Sequence, residues 1–449
     1  MKYALILMAA ASAVSADKDC WNEGGNFFCG GKGVKQIKYN GLDLAGSYRA
    51  VKYMDNSGAC TFEDRPYAGP IAPYDEELSF HLRGPFHLDA FAVYTPSIKA
   101  KIQGPKSHSK RHGHGHLHQK YAEEKRADVV TAVIDGITQT WENNWYGPTA
   151  APEKTPTTSA MEHSVQAVTV HSYPTKGSDD QEEQKTKQDE KDRGNEVDVP
   201  AGDYERVAFY NAASQTADGL VFLANKGDPA VSGTFDNVWG NSLSYVNADG
   251  SKCAASPTVL GDVQIGDGDE IAIYSDKECD ESCGTVRPGS VAYKGWAGPN
   301  KVFLAEFSMP DTGASGWNLN MPAAWLLNAA IARTGQYSAC SCWKGDKDSP
   351  IAGGCGEADI FEVLASGDKK AKSTFHFAHA LGDSHYFDRP VDKSIKVAVV
   401  FHAASSSTSI KILDDDYDFA TSLTSKQIDE LVDDVPDFSL MSLMTFGGF

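Results

Sequence analysis

Three carboxylates fall within six residues in the run Gly356-Glu357-Ala358-Asp359-Ile360-Phe361-Glu362-Val363-Leu364. Their neighbours are small, β-branched or aromatic, a composition that suits a strand. On a strand Glu357 and Asp359 project from one face, because successive side chains alternate. Glu362 lies three positions beyond Asp359, so a regular strand turns it away. A bulge at Ile360 or Phe361 brings it back. Like charges this close disfavour joint ionisation, so stability alone gives no reason for the cluster. A retaining glycosidase requires it. One carboxylate attacks the sugar while another, kept protonated, donates to the leaving oxygen, at a separation of about 5–5.5 Å. Asp359, between them, can hydrogen-bond the nucleophile and help hold the two pKa values apart. Two other uses of the same residues stay open: an exposed acidic strand, or a calcium site built on the carboxylate oxygens. The interleaved apolar residues argue against a plain solvated face.

The residues flanking this run add candidates. Trp317 and Trp343 lie among Gly, Asn and Lys, which suits rings exposed for stacking on the apolar faces of sugars. Trp325 lies amid Ala and Leu and reads as core. His376 alternates with Phe375 and Phe377, so it faces away from them, either into the groove or as a satisfied core histidine.

Nine cysteines imply a disulfide framework if the chain is exported, with at least one left over. Cys340-x-Cys342 with Cys355 can imitate a metal site, but a braced loop is the better reading for an exported chain. Position suggests that Cys355 bonds Cys340 or Cys342, closing a loop directly before Gly356. Export itself is read from the start of the chain. Lys2, the apolar run Tyr3 to Ala10 and the small residues Val14-Ser15-Ala16 form a signal peptide over residues 1–16. That run is too short to span a bilayer, and no later segment is long enough. The expected location is secreted, extracellular or cell wall. A net charge of −20 sets nucleic acid aside as a partner. No phosphate-cradling loop is evident, so no cofactor is expected, nor a resident metal.

The elements that must position the site fall into three parts. Residues 17–100 are rich in Gly and aromatics, and alternation at Leu78, Phe80 and Leu82 marks a strand in a small N-terminal β-rich domain. Residues 101–199 read as a mostly disordered linker. It begins with His108, His112, His114, His116 and His118, passes an apolar island from Val129 to Trp145, and turns to Thr, Ser and Pro before a charged run. The histidines offer ligands for Zn²⁺ or Cu²⁺, or are simply solvated. Lys110-Arg111 and Lys125-Arg126 are dibasic pairs open to a processing protease. Residues 200–449 carry short strands at Val207–Tyr210, Leu220–Leu223, Ile271–Tyr274, Val302–Phe307, Ile395–Phe401 and Ile410–Ile412. One short helix follows, with Thr424 and Gln427 as a capping box and Ile428, Leu431 and Val432 as its apolar face. Many strands and little helix predict an all-β sandwich.

The Glu-x-Asp-x-x-Glu run resembles the bulged active-site strand of glycoside hydrolase family 16. Glu306-Phe307-Ser308-Met309-Pro310 and Met321-Pro322-Ala323-Ala324-Trp325-Leu326-Leu327 resemble the segments that precede that strand. Ser373-Thr374-Phe375-His376-Phe377 resembles the one that places a histidine beside the acids. Nearly the whole chain is similar to the fungal cell-wall Tos-type proteins, assigned as endo-1,3-β-glucosidases. The resemblance implies a concanavalin-like β-jelly roll. It implies Glu357 as nucleophile, Asp359 as its helper and Glu362 as general acid/base, and it favours His376 in the groove, beside Trp317 and Trp343, which their neighbours suggest as substrate-binding. Met321 departs from the tryptophan often found there, and the Cys340–Cys355 insertion is unusual. The implied partner is a β-glucan polysaccharide, met by a monomer that hydrolyses it. The alternatives are a glucan or chitin transglycosylase and a non-catalytic wall-binding structural protein.

Overall fold

The computed structural model describes residues 20–97, 129–134, 137–142, 204–343 and 353–447. The N-terminal part holds β1 (Cys20–Glu23), β2 (Asn26–Cys29), β3 (Gln36–Asn40), β4 (Gly46–Met54), β5 (Cys60–Tyr67), β6 (Leu78–Arg83) and β7 (Phe86–Pro96). Next come β8 (Val129–Ile134) and β9 (Ile137–Glu142), a two-stranded hairpin. Then follow β10 (Tyr204–Asn211), β11 (Thr216–Asp218), β12 (Leu220–Ala224), β13 (Phe235–Asp236), β14 (Gly240–Asn241), β15 (Ser244–Val246), β16 (Cys253–Ala254), β17 (Gln264–Ile265) and β18 (Glu270–Ser275). The last strands are β19 (Lys301–Ser308), β20 (Ala323–Asn328), β21 (Glu357–Val363), β22 (Lys370–His376), β23 (Leu381–Gly382), β24 (Phe387–Asp388), β25 (Ile395–His402), β26 (Ser407–Leu413), β27 (Ser422–Leu423) and β28 (Met441–Thr445). The α-helices among the described residues are α1 (Ala329–Arg333) and α2 (Ser425–Val432).

Two ten-stranded sheets make the sandwich. The first runs β11-β10-β7-β19-β25-β26-β3-β28, with β17 on β7 and β27 on β10. The second runs β16-β15-β12-β18-β6-β20-β21-β22-β23, with β24 on β22. Between them lie Phe80 and Leu82 of β6, Phe91 of β7, Phe303 and Phe307 of β19, Leu326 of β20, Phe361 of β21 and Phe375 of β22. The first sheet is buried on its other face too. Ala92, Tyr94, Val302, Leu304 and Val400 pack there with Ile428, Leu431 and Val432 of α2. Burial on both faces explains why β19 and β25 read as nearly continuous apolar runs rather than as alternation. The capping box of α2 forms as the sequence predicts: the Thr424 hydroxyl accepts from the Gln427 N–H, and Gln427 accepts from the Thr424 N–H. All six strand segments expected after residue 200 fall within strands.

The expected division into a separate N-terminal domain and a C-terminal sandwich is corrected. β6 lies between β18 and β20, and β7 between β10 and β19, so N-terminal strands occupy the middle of both sheets. The physical reason is edge pairing: without them, apolar strands on either side would present unpaired backbone. The long middle stretch is therefore no spacer between bodies. It leaves at the end of β7 and returns at the start of β10, where Pro96 and Tyr204 are paired neighbours. The disorder expected of residues 101–199 lies outside the described residues, apart from the β8–β9 hairpin. The signal peptide, the five clustered histidines and both dibasic pairs also lie outside them.

Candidate active site

β21 is bulged where the spacing of the acids requires it. Against β20, Asp359 pairs with Trp325 and Phe361 with Ala324, which leaves Ile360 as the extra residue. Against β22, Asp359 pairs with Thr374 and Glu362 with Lys372. Ala358, Phe361 and Val363 consequently turn into the core between the sheets. Glu357, Asp359 and Glu362 turn to the opposite face.

The registers of neighbouring strands arrange that face in three rows. The first carries Ser79, Leu327, Glu357 and His376; the second His81, Trp325, Asp359 and Thr374; the third Glu270, Arg83, Ala323, Glu362 and Lys372. Cations thus alternate with acids along the third row. The Arg83 guanidinium is 3.7 Å from Glu362 and donates from Nε to the Met321 carbonyl. Glu270, a fourth carboxylate, accepts from Gln336 and is pushed up by burial.

The backbone entering β21 is fixed from several sides. The buried Tyr74 hydroxyl donates to the Glu357 carbonyl at 2.9 Å, and Asn328 donates to the Cys355 carbonyl. Gly356 has φ +108°, and a Cβ there would meet the Tyr74 ring at 3.2 Å, so glycine is required. Four disulfides form, Cys20–Cys29, Cys60–Cys340, Cys279–Cys283 and Cys342–Cys355, and Cys253 is free. Cys355 therefore takes one of its two expected partners, closing a loop just before the acids. Cys340 instead bonds β5. Both bonds place the three cysteines in disulfides rather than a metal site.

Glu357 is 6% exposed. Its Oε1 accepts from the Tyr337 hydroxyl at 2.7 Å, and its Oε2 accepts from Trp343 Nε1. Asp359 Oδ2 is 3.0 Å from His376 Nε2. Burial pushes the Glu357 carboxyl well up, with repulsion from Asp359 adding to it. Burial also raises Asp359, against the pull of Arg83. Glu362 is raised to about 7, by burial first and by Asp359 second. Three neighbouring acids that resist ionisation, with an arginine and a histidine beside them, can hold one proton for donation while another group is ionised.

The other candidates separate. His376 joins the acids, as expected. Trp343 joins them differently: at 4% exposed its ring offers no open face for stacking, and its N–H goes to Glu357. Its polar neighbours in sequence read as surface, but the disulfides of Cys340 and Cys342 hold the segment ending at Trp343 against the core. Trp317 is 65% exposed on the loop between β19 and β20. Gly316 and Ser366 tie that loop to the turn that follows β21. Trp325 is buried, as expected, and its Nε1 has no hydrogen-bond partner among the described residues. Sequence reasoning passed over Tyr337, Arg83 and Glu270. Only the pairing of β18, β6 and β20 assembles the last two with β21.

The chain matches two family models, "Cell wall protein YJL171C/Tos1, C-terminal" over residues 202–431 and its N-terminal counterpart over residues 35–96. A protein of Arthroderma benhamiae named "Probable circularly permuted 1,3-beta-glucanase" is 39% identical over 445 residues, covering 95% of this chain and 94% of the relative. The Saccharomyces cerevisiae protein of that name with the suffix TOS1 is 34% identical over 450 residues, covering 95% and 96%. The Candida albicans TOS1 protein is 34% identical over 469 residues, covering 94% and 95%. No solved structure matches the chain.

Proposed function

The chain belongs to the YJL171C/Tos1 cell wall protein family, and from that premise we propose that it is an exported enzyme of the cell wall that cleaves β-1,3-glucan with retention of configuration. The observation that carries this reading is the bulge at Ile360, which turns Glu357, Asp359 and Glu362 to one face. A retaining glycosidase needs two carboxyl groups that close, one ionised and one protonated. The relatives' names supply the substrate. The word "permuted" in those names fits the chain order, in which β6 and β7 sit among strands that follow them by more than a hundred residues.

In the first step the Glu357 carboxylate attacks the anomeric carbon as Glu362 protonates the departing glycosidic oxygen. The C–O bond to the leaving sugar breaks, and a glycosyl ester forms on Glu357. In the second step Glu362, now a base, takes a proton from an incoming hydroxyl, whose oxygen displaces Glu357. Water gives hydrolysis; a sugar hydroxyl gives transglycosylation through the same intermediate. Asp359, held by His376, helps set which acid carries the proton.

Glu357→Gln tests the assignment. It keeps the shape and removes the nucleophile, so turnover of laminarin is lost while folding and glucan binding persist. Turnover retained without an added nucleophile overturns the reading.

A further inference from the structure

Glu357 is held from one loop by two donors. Tyr337 lies three residues before Cys340, which bonds Cys60 on β5. Trp343 directly follows Cys342, which bonds Cys355 two residues before Glu357. Both disulfides therefore pin the segment that carries the donors. The two rings meet edge to face, with centroids 5.4 Å apart at 86°. The Tyr337 hydroxyl reaches Oε1 at 2.7 Å, and the Trp343 indole N–H reaches Oε2.

A carboxylate has about four lone-pair sites, two on each oxygen. One donor per oxygen uses two of them and leaves one on each for reaction. An indole N–H can only donate, so it fixes Oε2 as an acceptor. We infer that Tyr337 and Trp343 are positioning residues for the nucleophile, clamping both Glu357 oxygens from a disulfide-pinned loop. The inference rests on the reading of Glu357 given above and deepens it.

The clamp is electrostatic as well as geometric. Burial and Asp359 oppose ionisation of Glu357, and the Tyr337 hydrogen bond works the other way. Donors to a carboxylate favour its charged form, so removing them raises the pKa further. The other titratable groups acting on Glu357 are Asp359 and Glu362 of β21 and His376 of β22, with the Tyr74 hydroxyl on its carbonyl; Arg83 of β6 acts on Glu362, and Glu270 of β18 on Tyr337. These are unchanged in donor variants, so the difference from wild type isolates the donors.

The variants are Tyr337→Phe and Trp343→Phe, singly and together. Each keeps an aromatic ring in the packed loop and deletes the donor. The acid limb of kcat/KM on laminarin should move to higher pH by about half a unit to one unit per donor. kcat should fall about 10- to 100-fold per donor, as expected for losing a hydrogen bond to a charged group. KM should change by less than about twofold, because the donors do not grip the substrate. A purely structural role would lower the melting temperature and leave the acid limb in place. The inference is overturned if both phenylalanine variants match wild type in rate and acid limb, or lose activity through KM alone. A carboxyl ¹³C titration, with the Glu357 signal assigned by its absence in Glu357→Gln, reads the same clamp without substrate. An upward shift of that midpoint in the variants supports the clamp, and an unchanged midpoint overturns it. A wild-type chain without glucanase activity would defeat the proposed function, while the titration would still decide the clamp.

Discussion

Replacing Glu362 by Gln should stabilise the fold at pH 8 and leave it nearly unchanged at pH 4. Glu362 is an acid whose folded pKa is raised, from the ordinary 4.5 to about 7. Below 4.5 the carboxyl is protonated in both folded and unfolded chains, so pH has no leverage through it. Between 4.5 and 7 the unfolded chain releases the proton and the folded chain keeps it, so stability falls as pH rises. Above 7 the loss is complete. At about 1.36 kcal/mol per pKa unit, it amounts to roughly 3 kcal/mol. Glutamine has nothing to ionise and escapes that loss. Its own cost is the 3.7 Å contact with Arg83, which is partly screened and whose guanidinium keeps the Met321 carbonyl. The assay is urea unfolding of wild type and variant at pH 4, 6 and 8, with linear extrapolation at each pH. The variant should gain progressively from pH 4 to pH 8, reaching a gain of about 2–3 kcal/mol. A gain that does not depend on pH, or a variant weaker than wild type at pH 8, refutes the reasoning. It would mean that the Glu362 carboxylate is well solvated or well paired by Arg83 in the fold.

Two further predictions follow from the chain's path. Cutting the chain at an engineered protease site between Ser178 and Asp198 should leave one particle by gel filtration, because β7 pairs with β10 on either side of the cut. Non-reducing electrophoresis should keep the fragments joined through Cys60–Cys340, and reduction should separate them; fragments that part without reductant would contradict both the pairing and the bond. Cys355→Ser opens a loop with a sequence separation of 13, worth about 3 kcal/mol in the chain-entropy model. Its turnover should fall more steeply than its melting temperature, since a displacement of about 1 Å at a catalytic group costs about a hundredfold in rate; equal proportional losses would reduce the bond to a staple.

What could be read from sequence was local. The spacing of Glu357, Asp359 and Glu362 demanded a bulge, because a strand has period two and Glu362 sits at an odd offset from Asp359; β21 supplies it at Ile360. The capping box at Thr424 was legible because its donors and acceptors lie three residues apart. Cys355 had two plausible partners within one loop and took Cys342. Non-local pairings were hidden. Cys60–Cys340 spans a separation of 280, and nothing near either cysteine announces the other. The composition shift after residue 100 was real, but it marks an excursion between paired neighbours rather than a boundary between domains. Trp343 read as exposed because its neighbours are polar, yet two disulfides bury it. Tyr337 carries no local signal, since its role depends on where that pinned loop comes to rest.

The roles of the two glutamates are separated most directly by azide rescue of Glu362→Ala on an activated β-glucoside. Removing the acid/base while leaving Glu357 in place lets the glycosyl ester form from a good leaving group and stall. Azide needs no general base and attacks the ester from the face opposite Glu357, so the account predicts restored turnover and a β-configured glycosyl azide, read by proton NMR. An α-configured azide from the same variant would mean that Glu362 had been the nucleophile, and the assignment of roles would be reversed.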